Sequence, residues 1–200
     1  MSKVLYIILI SLFSLTIISC SSSDDSKTTT DNTTTTDNTS TSSSLYVAVG
    51  LSGTILTSSD GTTWTSRTSG TTYMLTGVTY ANSTFVTVGA GSGTILTSSD
   101  GTTWTSRTSG TSSTLEGVTY ANSTFVTVGD NGTILTSSDG TTWTERTSGT
   151  SNNLWRVNYA NSTFVIVGKS GTILTSSDGT SWTSRTSGTS NNLRSVIFTE

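Results

Sequence analysis

The segment GTILTSSDGTTWTSRTSGT begins at Gly53 and recurs unchanged at Gly93. It returns at Gly132 with Glu145 in place of one Ser, and at Gly171 with Ser181 in place of one Thr. Four near-identical copies leave little choice of fold. A unit this short cannot bury an apolar face alone, so the copies must stack on one another in one shared conformation. Two series of residues, Trp64, Trp104, Trp143, Trp182 and Asp60, Asp100, Asp139, Asp178, advance together along the chain. Their step of about forty residues suits a propeller blade of four strands.

Within one period the pattern predicts four short strands. LEGVTY (Leu115–Tyr120) alternates Val118 and Tyr120, ANS turns, and TFVTVG (Thr124–Gly129) is β-branched and aromatic. DNG marks a tight hairpin, TILTSS (Thr133–Ser138) follows, DGTT turns again, and WTERTSG closes the unit. No window carries helical spacing, and the Thr and Val content disfavours helices. Proline is absent, so Gly, Asn, Asp and Ser must make the turns.

The first copy starts at LYVAVG (Leu45–Gly50), the counterpart of TFVTVG at Thr84, without the LxxVxYANS strand that precedes it elsewhere. LRSVIFTE (Leu193–Glu200) supplies a copy of that strand. The expected fold is therefore all-β. It is a β-propeller of four blades of four antiparallel strands, closed by pairing of the C-terminal strand with the N-terminal strands. Such closure removes exposed sheet edges. It predicts a monomer; a larger ring of two chains and a truncated array are the alternatives.

Residues 1–19 read as a signal peptide: Lys3, then a largely apolar run from Val4 to Ile18. IISC resembles a bacterial lipobox and places the only cysteine, Cys20, where a lipidated thiol is needed. Residues 20–44 then read as the lipidated Cys and a disordered Ser/Thr-rich tether, since Ser21–Ser44 holds no apolar residue. A tether of that length spans about 25–30 Å. Residues 45–200 form the repeat domain. The partner implied by the leader is a membrane, through the N-terminal lipid. The expected location is the bacterial cell envelope, at the outer membrane or cell surface, because Ser21 carries no aspartate-type retention signal.

TSSDGTTW resembles the bacterial neuraminidase or Asp-box repeat, Ser-x-Asp-x-Gly-x-Thr-Trp, except that Asp60 and Gly61 are adjacent here. The whole unit, VTYANSTFVTVG followed by GTILTSSDGTTW, is similar to the propeller repeats of the photosystem II assembly and stability factor family. The resemblance covers Leu45 to Glu200 and implies a fold rather than an activity. In the family the box is a structural turn. That implies turn carboxylates at Asp60, Asp100, Asp139 and Asp178 and packing indoles at Trp64, Trp104, Trp143 and Trp182. Calcium binding is the lesser reading of the aspartates. Arg67, Arg107, Arg146 and Arg185 form another fourfold set. They read as inter-blade ion pairs or a solvated edge, or, more sharply, as a guanidinium ring for an anion.

The chain holds no histidine, and Cys20 is consumed by processing. Ser-His-Asp and Cys-His catalysis are thereby excluded. A net charge of −3 with no basic face gives no reason to expect nucleic acid. No phosphate loop, dinucleotide fingerprint or zinc spacing is present, so no cofactor or metal is expected. Glu116 is the one acid expected near the ring axis. A sialidase also needs three non-equivalent arginines and a Tyr–Glu pair, which cannot be assembled from fourfold-equivalent arginines. NST at Asn82, Asn122 and Asn161 fits a turn better than a glycosylation site.

The copies differ in two places. One is the hairpin GLSG, GAGSG, GDNG, GKSG. The other is the lead-in to each first strand: TYMLTG, SSTLEG, SNNLWR and SNNLRS. The second cluster should ring one mouth of the channel. It contains Tyr73, Met74, Glu116, Asn152, Asn153, Trp155, Arg156, Asn191, Asn192 and Arg194. An exposed aromatic beside Arg and Asn suits recognition, whereas drift at exposed loops gives the same pattern without function. The expected function is a non-enzymatic binding or assembly module, tethered at a membrane, for an unidentified protein or glycan. A sialidase-like enzyme and a display element without a ligand are the alternatives.

Overall fold

A computed structural model describes residues 44–199, and all of its regular structure is β apart from short 3-10 turns. The signal peptide, Cys20 and all of the tether except Ser44 lie outside the described residues. The first blade holds β1 (Tyr46–Val49), β2 (Ile55–Ser58) and β3 (Thr65–Arg67). The second holds β4 (Leu75–Ala81), β5 (Thr84–Gly89), β6 (Thr94–Ser98) and β7 (Thr105–Arg107). The third holds β8 (Leu115–Ala121), β9 (Thr124–Gly129), β10 (Ile134–Ser137) and β11 (Thr144–Arg146). The fourth holds β12 (Leu154–Ala160), β13 (Thr163–Gly168), β14 (Ile173–Ser176) and β15 (Thr183–Arg185). Each sheet is an antiparallel meander in chain order. The chain is a β-propeller of four blades, as its repeats predict.

The inner strands β4, β8 and β12 pack side by side. Each opens a hairpin through two left-handed residues, Asn122 (φ 48°) and Ser123 (φ 58°) in the third blade. Two consecutive left-handed residues match the twist of paired strands, which is why NST is a turn here.

The DGTT turn is a repeated hydrogen-bond knot. In the third blade the Ser137 hydroxyl accepts from the Gly140 N–H at 2.8 Å and donates to Asp139 Oδ1 at 2.9 Å. The same carboxylate oxygen accepts the N–H groups of Thr141 and Thr142 at 2.8 and 3.0 Å. Asp60, Asp100 and Asp178 repeat the arrangement. The adjacent indole closes the turn: Trp143 Nε1 donates to the Gly140 carbonyl at 3.0 Å.

The apolar cores lie between blades. Val86, Val88 and Ile95 of the second blade meet Leu115, Phe125 and Leu135 of the third. Val126, Val128 and Ile134 meet Leu154, Phe164 and Leu174 of the fourth. Ile55, with Val47 and Val49 beside it, meets Leu75 and Leu96. Each such side chain, fully buried, stabilises by about 1.5–3 kcal/mol. Threonine completes the interior. Thr87 and Thr127 are fully buried and donate to the Gly77 and Gly117 carbonyls, each at 2.9 Å. Among the described residues no buried side-chain nitrogen or oxygen lacks a partner.

The closing pair expected from the sequence is not formed. The first sheet has three strands with β1 at its edge, and Asn192–Thr199 carries no strand pairing. Leu193 does dock as a next blade would begin: its N–H donates to the Gly168 carbonyl at 3.0 Å, as Leu75 N–H does to Gly50 at 2.9 Å. Three junctions built from like residues repeat one step, and after three steps no core among the described residues joins the last blade to the first.

Two outcomes follow from this packing. Gly132 (φ +72°) and Gly149 (φ +74°) share a left-handed backbone, but a Cβ on Gly132 would collide with the Thr150 carbonyl while one on Gly149 meets nothing within 4 Å. Gly149→Ala should cost about 1–2 kcal/mol in urea unfolding, the price of left-handed backbone alone. Gly132→Ala should cost clearly more, and equal costs would show that the carbonyl contact is immaterial. The second outcome concerns acid. Hydrogen bonds from Thr141 and Thr142 hold the Asp139 carboxyl well below its ordinary range, and the other three box aspartates are lowered likewise. A lowered folded-state value adds stability above the unfolded value and loses it as pH falls. The unfolding midpoint should therefore hold from pH 7 to about 5 and fall below about 4. The deficit of Asp139→Asn at pH 7 should shrink over the same acid range.

Candidate recognition surface at the head of the inner strands

Every inner strand begins with a β-bulge. Pairing skips one residue between Leu75 and Gly77, between Leu115 and Gly117, and between Leu154 and Arg156. The skipped residues are Thr76, Glu116 and Trp155, and Arg194 is the fourth copy of that position. A bulge leaves its extra residue unpaired and turns its side chain away from the ladder. One backbone device thus presents a hydroxyl, a carboxylate and an indole at equivalent points, and the guanidinium of Arg194 takes the same repeat position on an unpaired segment.

These groups meet. Thr76 Oγ1 donates to the Leu115 carbonyl at 2.6 Å, tying one bulge to the next inner strand. Gly117 lets the third and fourth blades approach, since a Cβ there would sit 3.0 Å from the Trp155 carbonyl oxygen. Arg194 Cζ lies 4.0 Å from the centroid of the Trp155 ring. That stack contributes about 0.5–1 kcal/mol at an exposed site. Arg156 and Arg194 are exposed and Trp155 is half-buried. Glu116 is half-buried, and burial is the main cause that raises its carboxyl above the ordinary value. Asp130 raises it further, and Arg156 and Arg194 oppose the shift.

The other lead-in residues are divided. Tyr73 and Met74 stay exposed, and the Tyr73 ring lies over Gly91, where a Cβ would overlap it. Tyr73 belongs to a separate cavity of about 650 Å³, lined also by Gly91, Trp104, Arg107 and Ser109, which excludes Met74, Glu116, Trp155 and the two arginines. Asn152 Nδ2 donates to Thr172 Oγ1 at 2.9 Å, and Asn191 N–H donates to Thr189 Oγ1 at 3.1 Å. Asn153 and Asn192 hold the hairpins. Their Oδ1 atoms accept the N–H groups of Asn131 and Ser170, both left-handed, at 3.2 and 3.1 Å.

Those bonds join the two variable clusters into one face. Asp130 N–H donates to the Thr114 carbonyl at 2.9 Å, and Lys169 N–H to the Asn153 carbonyl at 2.8 Å. Asp130, in the DNG hairpin, thereby acts on Glu116 across the face, a neighbour that the sequence pattern did not single out. The signal was available: antiparallel pairing of Leu115 with Gly129 sets the head of an inner strand beside the following hairpin.

The repeated arginines belong elsewhere. Arg67, Arg107, Arg146 and Arg185 sit on the outermost strands and donate from Nε to Thr57, Thr97, Thr136 and Thr175 of their own blades at 2.8–2.9 Å. Of the two plain readings, the inter-blade ion pair gives way to a bond within the blade, and the solvated edge fits these part-exposed or exposed edge-strand positions. The box aspartates and tryptophans lie at the turns between the last two strands of their blades, away from the bulges.

No protein-family model matches the chain, and no curated protein matches it. Solved structures do. One is YCF48 bound to D1 peptide, at TM-score 0.56 and 21% identity, covering 69% of this chain and 48% of that one. Another is YCF48 from Cyanidioschyzon merolae, at TM-score 0.57 and 17% identity, covering 76% of this chain and 57% of that one. The chain spans about half the length of these structures. Its likeness to them is one of fold, and the propeller resemblance to photosystem II assembly factors stands at that level.

Proposed function

We propose that this propeller is a non-enzymatic binding module that holds a protein segment against the bulge row. The observation that carries the reading is the Trp155–Arg194 stack beside Glu116 and Arg156. In an array whose copies are otherwise nearly identical, equivalent backbone points here present four unlike side chains. An aromatic with arginines and a carboxylate, part-exposed on rigid strands, is the composition of an interaction hot spot. A propeller of the same fold is known with a peptide bound. The lipobox-like leader supports a module held at the bacterial envelope, in the outer membrane or at the cell surface, by lipid on Cys20 and a tether ending near Ser44. A glycan is the other ligand class suited to Trp155, and a glycan array separates it from a protein.

A hydrolytic reading draws on one observation, the placing of Asp130 near a raised Glu116. Turnover of a glycoside by the full chain, abolished in Glu116→Gln, would favour it over binding alone.

The binding reading is tested by capture from native membranes on the full-length protein. Trp155→Ala, Arg156→Ala and Arg194→Ala should each weaken retention of the captured protein by about tenfold or more. Asp139→Asn, at a box turn, should leave it unchanged. Undiminished capture by the three bulge-region variants would sink the assignment.

A further inference from the structure

The two ends of the blade series are unfinished in complementary ways. At each internal junction a valine of one blade covers the box glycine of the next. A Val86 methyl lies 3.0 Å from where a Cβ on Gly140 would be, and a Val126 methyl 3.2 Å from that on Gly179. Gly101, Gly140 and Gly179 are buried, but Gly61 in the first blade is exposed. Tyr46 and Trp64 beside it are 55% and 41% exposed. The fourth blade shows the opposite lack. Val165 and Ile173 stand part-exposed, while their counterparts Val126 and Ile134 are 0% exposed.

Strand supply follows the same rule. Among the described residues the first blade holds no inner strand, and Leu193–Thr199, a copy of that strand, is paired with none. Its start is anchored by Leu193, and Asn158 Nδ2 donates to the Val196 carbonyl at 3.3 Å. Beyond that point Ile197 is 84% exposed and Phe198 50%.

We propose that a second copy of this chain fills both gaps, in place of the monomer expected from the sequence. Leu193–Thr199 of each copy becomes the inner strand of the other's first blade, and the Val165 face of each covers the Gly61 face of the other. The product is a two-fold ring of eight blades. The fourth blade supplies the register. There Asn158 faces Val165 and Tyr159 faces Phe164, so Ile197 faces Val47 and Phe198 faces Tyr46 across the junction. The last pair restores the aromatic contact made in the other blades at 4.3–4.6 Å between centroids.

Two observations favour a second copy over self-closure. Self-closure in four blades needs a turn of about 90° per junction against about 45° in eight, and rings of up to eight blades are ordinary. The three junctions that are built leave the first and last blades without a shared core. Rotation about the ring axis leaves both Ser44 ends on one face, so two tethers can reach one surface.

The test uses full chains carrying Cys20→Ser, so that only engineered thiols remain. Val47→Cys chains and Ile197→Cys chains bearing different tags are co-expressed and oxidised. A covalent pair holding both tags is expected, and light scattering on the parent should give twice the mass of one chain. Failure of the two variants to cross-link would overturn the proposal. So would a single-chain mass with an internal disulfide in the Val47→Cys/Ile197→Cys double variant, or a ladder of higher masses. Phe198→Asp alters a half-exposed residue outside the blade cores. It should halve the mass while the β-sheet circular dichroism persists, and a mass that stays double counts against the ring.

Discussion

The whole structure depends on a blade having no core of its own. Each meander presents Val, Val and Ile from its second and third strands to the Leu, Phe and Leu of the next blade. Stability therefore resides in junctions, as in other repeat architectures, and an end blade is always short of one partner. The chain shows this in graded exposure. Leu135 and Leu174 are sealed, and Leu56 at the open end is only part-buried. The glycines of the box are part of the same constraint, because a methyl group from the preceding blade occupies the space that a side chain there would need.

A chain in which only 31% of residues are hydrophobic must build its interior partly from threonine and serine. Burying a hydroxyl without a partner costs on the order of 1–3 kcal/mol. Here the repeat itself matches buried hydroxyls to fixed partners, backbone groups or the arginine of the adjoining strand. Thr127 reaches the Gly117 carbonyl, and Ser137 takes the Gly140 N–H. Because the partner is set by register, the match is copied whenever the unit is copied. Near-identity of GTILTSSDGTTWTSRTSGT then needs no shared chemistry beyond folding.

This is also why the fold was legible in the sequence and the site less so. Strand placement, hairpin turns and the knot around Asp139 are local and recur four times, so periodicity exposes them. Of the two plain readings of Arg146, the solvated edge fits its edge strand, and the ion pair gives way to Thr136, ten residues away on the adjoining strand, an uncharged group that charge counting passes over. Closure failed for a different reason. A matching strand shows that pairing is chemically possible, but the turn at each junction is set by side-chain volumes in cores such as Val86–Leu115–Phe125, and no pattern of letters states that angle. Of the candidate site, Glu116, Trp155, Arg156 and Arg194 were found from disagreement among copies. Asn153 and Asn192 fell in the same set although their work is to brace hairpins.

The bulge reconciles an invariant scaffold with a variable surface. In a regular strand, every second residue faces a core and every change is felt by the neighbouring blade. The residue inserted between Leu154 and Arg156 is released from that alternation, so Trp155 can stand where Thr76 and Glu116 stand in other blades without disturbing the pairing on either side. The bulge is a register point at which packing does not resist variation. A propeller of copied blades can therefore acquire a specific surface while its junctions remain alike, and the head of the inner strand is the place where its physics permits that change.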